Sequence, residues 1–148
     1  MTLFDLGQRF VGTLQERAGM AHHPYIVWAH SLTGLGLDSP DEVPWCSSWL
    51  SSLCWLMGLP RSKSAAARSW HTIGNPIVSL FDAKVGYDIV VLNRGGSDDP
   101  AVAGPGHVGL FAGLQPGMVM ILGGNQGDSV SVQAFPRTRV LAIRRLSE

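Results

Sequence analysis
The sequence predicts an α+β fold in which N-terminal helices pack on a C-terminal antiparallel sheet. Three observations predict it. Apolar residues recur at helical spacing through the first half of the 148-residue chain. Short apolar runs broken by turn residues fill the second half. Eleven of the 18 glycines fall between Gly86 and Gly127, where tight turns would need them. Helices followed by a run of strands segregate into layers instead of alternating as βαβ units.

Each element has its own signal. Leu3, Leu6, Phe10, Val11 and Leu14 lie at helical spacing and predict an amphipathic helix over Leu3–Ala18, ending near Gly19. Ile26, Val27, His30 and Leu35 predict a second, over Pro24–Leu35, before a loop marked by Gly34, Gly36, Ser39 and Pro40. Pro44-Trp45-Cys46 opens a third helix, since proline suits a first helical turn. Its apolar side carries Trp49, Leu50, Leu53, Cys54 and Met57, and Gly58 and Pro60 end it. The alanine run Ser64–Trp70 predicts a fourth. Strands are expected at Asp88–Leu92, His107–Ala112, Met118–Leu122, Val130–Phe135 and Arg139–Arg144. Hairpin turns are expected at Leu114–Gly117 and Gln126–Ser129. Asn93–Gly106 reads as a long exposed loop, a length that often carries function.

Composition narrows the function. Eleven Lys+Arg balance eleven Asp+Glu, and charged residues make up only 15%. A neutral chain does not bind nucleic acid by bulk electrostatics. With hydrophobic residues at 45% it has a core to bury. The first residues lack the basic start and unbroken apolar run of a secretory signal. Trp49–Leu59, the longest apolar candidate, falls short of the roughly 20 residues a membrane span needs. The expectation is synthesis in the cytoplasm.

The two cysteines differ in setting. Eight residues apart on one helix, they sit about 12 Å from each other, too far for a disulfide. Cys46 falls at a helix start, where unpaired N–H groups and the helix dipole favour a thiolate. Cys54 falls mid-helix among apolar neighbours, where burial keeps a thiol protonated. His107 opens a strand after a Pro-Gly turn and is placed to act as a base beside a thiol. Asn125 ends the following strand, so a hairpin brings it to the same end as His107. Its amide oxygen would orient the ring, although Asn-Gln-Gly-Asp is also simply turn-like. His22, His23 and His30 lack the neighbouring ligands of a zinc site, and no metal or cofactor is expected. Asp41 and Glu42 read as acidic residues serving a helix start, with Glu42 at the border of a cleft. Arg137, Arg139, Arg144 and Arg145 read as a solvated strand face.

These residues resemble a known family. Asp41-Glu42-Val43-Pro44-Trp45-Cys46 before a helix resembles the nucleophile segment of the NlpC/P60 and CHAP peptidoglycan hydrolases, most closely a phage endolysin-type subgroup. Asp88-Ile89-Val90-Val91, Gly106-His107-Val108-Gly109 and Gly123-Gly124-Asn125-Gln126 resemble later motifs of the family in the same order. The chain departs from the pattern at Gly86-Tyr87-Asp88, where the family has glycine directly before the aspartate. The resemblance covers about residues 16–145.

It implies a papain-like α+β fold and a single catalytic domain over 1–148. The helical part would span about 1–75 and the sheet about 86–145, with no separate wall-binding domain. It implies a cysteine peptidase or amidase with Cys46, His107 and Asn125 as the catalytic set. Whether Asn125 or Gln126 is the third member stays open. Trp45, Glu42, Trp49, Trp70 and Gln126 would contact substrate, while Trp28 and Trp55 would be core. The implied partner is peptidoglycan, acted on by a monomer whose release depends on a holin. The alternatives are a wall-hydrolysing toxin delivered by a secretion system, and a non-catalytic peptidoglycan-binding module.

Overall fold
A computed structural model describes residues 1–17 and 22–147. The helices are α1 (Leu3–Gln8), α2 (Pro24–Ser31) and α3 (Cys46–Met57). The strands are β1 (Asn75–Pro76), β2 (Asp88–Asn93), β3 (Gly106–Gln115), β4 (Met118–Gln126), β5 (Ser129–Pro136) and β6 (Val140–Arg145). They form one sheet in the order β1-β6-β2-β3-β4-β5, with every neighbouring pair antiparallel. The α+β expectation holds, and the five predicted strands are the five long ones.

α3 lies across β3 and β4. Its Trp49, Leu50 and Leu53 pack with Ile89, Val91, Val108, Leu110 and Leu122 in the main core. A smaller cluster of Val90, Leu92, Phe111, Val119 and Ile121 lies on the other face, covered by Leu80 and Phe135. Two covered faces explain why β2 is an unbroken apolar run and not an alternating one. α3 ends at Gly58, whose φ of 67° is the left-handed cap that glycine takes without strain. Among the described residues, no helix is long and apolar enough to cross a membrane.

Two helices are shorter than the periodicity predicts. α1 is closed at its start by a reciprocal Thr2–Asp5 capping box and stops at Gln8. Beyond it the backbone pairs with the start of β5 instead. Val130 N–H donates to Leu14 O at 3.1 Å and Glu16 N–H to Asp128 O at 2.8 Å. Leu14 is still buried, but an extended segment delivers it and Val11 is exposed. The predicted end near Gly19 lies outside the described residues. α2 stops at Ser31, four residues before the expected Leu35. The alanine run forms a 3₁₀ helix at Ala67–Thr72, not an α-helix from Ser64.

Candidate active site
Cys46 is the first residue of α3, and Trp45 caps the helix without a side-chain hydrogen bond. That leaves the N–H groups of the first turn without intrahelical partners. His107 is the second residue of β3, directly beside the helix start. Both are buried: Cys46 is 5% exposed and His107 2%. Their side chains hydrogen-bond each other, and the backbone N–H groups of Val108 and Ser47 also face the sulfur.

The electrostatics of the pair follow from this geometry. Burial pushes the Cys46 thiol up, but the hydrogen bond and charge of His107, with the two N–H groups, outweigh it and hold the thiol below its ordinary value. Burial pushes His107 down, while the Cys46 sulfur and then Gln126 outweigh it and raise the imidazole. Both shifts favour a thiolate–imidazolium pair. Cys54 is free, as Cys46 is, and its thiol is pushed up to about 12 by burial. One cysteine is therefore poised and the other silent, as their sequence settings imply.

The residue that holds the ring is Gln126, not Asn125. Gln126 Oε1 lies 2.8 Å from His107 Nε2. Its own amide donates to Ile121 O at 3.1 Å and Ser131 O at 2.7 Å, which fixes which end of the amide faces the histidine. The β4–β5 register shifts between Gly123 and Gln126, and Asn125 takes a left-handed φ of 58°. This bulge turns Gln126 inward and leaves Asn125 on the wall of a cavity it shares with His107. Gln126 is only 3% exposed and lines that cavity together with His107 and Asn125.

The tryptophans expected in the cleft are interior too. Trp45, Trp49 and Trp70 are fully buried. Trp45 Nε1 donates to Glu16 Oε1 at 2.8 Å, and Trp70 Nε1 to Ser47 Oγ at 2.8 Å. Ser47 in turn donates to Ser64 O at 2.6 Å. An indole with its N–H satisfied inside the protein serves packing. Trp55, expected in the core, is 52% exposed on the outer side of α3, edge-on to the half-buried Trp28 at 5.6 Å. Glu42 is exposed and borders a second cavity with Glu16, Arg17 and Asp128, whose lining does not include His107.

Other polar residues serve the frame. Asp41 is buried and accepts from the N–H groups of Arg17 at 2.9 Å and His23 at 2.7 Å, and from His22 Nδ1 at 3.1 Å. It pins the N-terminal segment to the loop before α3. His22, Asp41 and Glu42 bring three ligand atoms within 4.8 Å, but the oxygens of Asp41 are already engaged. His23 caps α2, and His30 is buried against Ser48 at 2.7 Å. The three histidines do three separate jobs. The predicted arginine face is mostly occupied as well. Arg145 grips the buried Asp88 through two bonds of 2.6 and 2.7 Å. Arg144 donates to Ile73 O and Gly74 O, and Arg137 to Met118 O and Gln115 O.

Arg68 carries a role that the sequence reading missed. It is 3% exposed and donates to the carbonyls of Gly95, Ser97, Asp99, Val102 and Pro105 and to Asn93 Oδ1. The long loop after β2 is wrapped around this one guanidinium. An arginine isolated in an otherwise alanine-and-serine run was the available signal.

The fold thus brings together a cysteine at a helix start, a histidine at a strand start and an amide behind the histidine. Among solved structures, NlpC1 from Trichomonas vaginalis matches 97% of this chain with a TM-score of 0.54 at 22% sequence identity. The fold is NlpC/P60-like. This chain spans 42% of that protein's length. No protein-family model and no curated protein matches the sequence. Within the NlpC/P60-like fold, the helical layer contributes Cys46 and the sheet contributes His107 and Gln126.

Proposed function
We propose that this chain is a cysteine peptidase or amidase that hydrolyses an amide bond of bacterial peptidoglycan. The observation that carries the reading is the buried Cys46–His107 pair, with Gln126 holding the far nitrogen of the ring. In this reading the Cys46 thiolate attacks the carbonyl carbon. The developing oxyanion accepts from the Cys46 N–H at the open first turn of α3. His107, holding the proton it takes from the Cys46 thiol, gives it to the leaving amine as the acyl-enzyme forms. It then takes a proton from the water that releases the acyl group. Gln126 keeps the ring in the one orientation that serves both steps.

The peptidoglycan substrate rests on the sequence motifs, and an NlpC/P60-like fold supports it. A phage endolysin, reaching the wall after a holin opens the membrane, is the setting we favour. The test uses isolated sacculi treated with the chain and with its Cys46→Ala variant. Loss of turbidity and release of new amino groups should occur only with the native cysteine. Equal loss in both would remove Cys46 as the nucleophile. Sacculus binding without any release would favour the non-catalytic module, a reading to which the low exposure of Cys46 and His107 lends some weight. Mass spectrometry of the fragments distinguishes a cut at the sugar–peptide amide from one within the stem.

A further inference from the structure
One edge of the sheet is covered at its start and open beyond. β5 is the outermost strand beside β4, and on its far side Ser129 pairs with Gln15. Val130 N–H points outward and donates to Leu14 O at 3.1 Å. Ser131 O points inward, where the Gln126 amide donates to it at 2.7 Å. Backbone groups alternate sides along an antiparallel strand. Val132 and Ala134 therefore aim both N–H and C=O away from β4, and these groups have no partner among the described residues. Pro136, next in that series, has no N–H to offer. The open window is Ser131–Phe135, bounded at one end by Leu14 and at the other by the turn Arg137–Arg139.

Nothing in the window guards it. Exposed edges are normally blunted by charge, by a bulge or by a very short strand. Ser129–Pro136 carries no charged residue, and its register shift against β4 falls between Ser129 and Ser131, before the window. Val132 is 44% exposed. The opposite edge of the sheet, β1, is only two residues long. A long extended peptide laid on the window would run into the 14–16 segment. A second β5 would not, because its chain turns away after Pro136. With one outward residue on each side of Gln133, β5 is its own complement.

We propose that two copies of this chain pair β5 against β5, antiparallel about a twofold axis at Gln133, joining their sheets into one continuous sheet. Val132 N–H donates to the partner's Ala134 O, and Val132 O accepts from the partner's Ala134 N–H. The axis repeats both bonds, so every open group of the window is satisfied. On one face Val132 packs on the partner's Ala134. On the other, Gln133 meets the partner's Gln133 at a non-hydrogen-bonded position, where side chains approach closest. Gln133 also lines the cavity shared by His107 and Asn125, so the interface borders that cavity in each copy. Only the short β1 edges remain, and the assembly closes at a dimer in place of the monomer that the resemblance implies. A chain of zero net charge sets no long-range repulsion against it. The proposal rests on the sheet register and is independent of the reading of Cys46.

Sedimentation velocity over a concentration series tests the pairing on the full chain. The interface is smaller than the roughly 1,600 Å² of a standard one, so the native chain should pass from monomer to dimer in the micromolar range. Gln133→Lys and Gln133→Glu each set like charges face to face on the axis and should weaken the dimer at least about tenfold. An equimolar mixture of the two variants should dimerise again, because opposite charges then meet. Ala134→Pro removes an outward N–H without touching the β4 ladder and should also weaken the dimer about tenfold or more. Gln133 is exposed, so its variants keep the test decisive if Ala134→Pro fails to fold, which urea unfolding reports. A native chain that stays monomeric up to about 0.5 mM overturns the pairing, whether or not free peptides bind that edge. So does a dimer that the Gln133 variants leave intact, or a mixture of the two that stays monomeric. A dimer lost instead in Trp55→Ser would put the contact on the outer side of α3 and overturn the β5 interface. None of these outcomes bears on the sacculus experiment.

Discussion
Replacing Gln126 by alanine tests the site more sharply than replacing either reacting group. The side chain makes three hydrogen bonds in the interior: one at 2.8 Å to His107 and two to the carbonyls of Ile121 and Ser131. A hydrogen bond to a charged partner contributes about 1.5–3 kcal/mol. If His107 is an imidazolium in the resting pair, losing its acceptor costs the ion pair a factor of roughly 10 to 100 in population. The two freed carbonyls add to the fold's loss, for a total of about 2–4 kcal/mol. The assay is alkylation of Cys46 by iodoacetamide against pH, alongside urea unfolding. In the native chain the rate should rise to its plateau below the ordinary thiol value of 9.0, because the Cys46 thiol is held low. In Gln126→Ala the imidazolium is less supported, so the midpoint should move up toward that value and sacculus hydrolysis should fall in parallel. Gln126→Glu should not rescue, because a carboxylate would face the two carbonyls that the amide N–H bonds now satisfy. A folded Gln126→Ala chain whose alkylation profile overlays the native one would refute the orienting role.

Three further outcomes follow from other parts of the structure. Arg145→Met leaves the buried Asp88 carboxylate without its two-bond partner and should cost about 3 kcal/mol in urea unfolding, with the alkylation profile of Cys46 unchanged. Gly124→Ala would put a Cβ 2.8 Å from the Trp45 ring and 2.9 Å from Trp49 Cβ. It should destabilise the chain by about 1–3 kcal/mol and lower activity together, since the strand end bearing Gln126 must shift; full activity in this variant would refute the close packing. Cys54→Ala should keep full activity, and native chain should take up one alkyl group, because a thiol pushed up to about 12 stays protonated.

What the sequence made legible tracks how local each signal is. The strands, α3 and the contrast between the two cysteines depend on periodicity and on helix position, and both are carried by neighbouring residues. The choice between Asn125 and Gln126 depends on a bulge. The bulge exists because β5 pairs with Gln126 through Ser129 and with Gly123 through Ser131, leaving two residues between them unmatched. No residue near 125 announces that pairing. α1 failed for a similar reason. Residues 9–17 keep a helical pattern, but a backbone partner at the start of β5 takes Leu14 and Glu16 into extended pairing. Arg68 is the extreme case, with its carbonyl partners 27 to 37 residues away along the chain.

The misplaced tryptophans show what positions the site. Trp45 precedes Cys46 and is tied to Glu16. Trp70 is tied to Ser47, whose N–H faces the sulfur. Trp49 lies one turn along α3, and Gly124 lies so close to it and to Trp45 that no side chain fits between. Two residues later comes Gln126. The rings thus join the helix that carries the thiol to the strand end that carries the orienter. Trp49 takes this place although its Nε1 has no partner among the described residues, a loss of about 1–3 kcal/mol for a buried donor. Reacting groups must be held to within about 0.5 Å, and long side chains on loops do not achieve that. Here three large rings, fully buried, do it by packing. Aromatic residues beside a nucleophile motif suggest a cleft when only their sequence position is known. In this fold they set the distance between two secondary-structure layers, and with it the distance between Cys46 and His107.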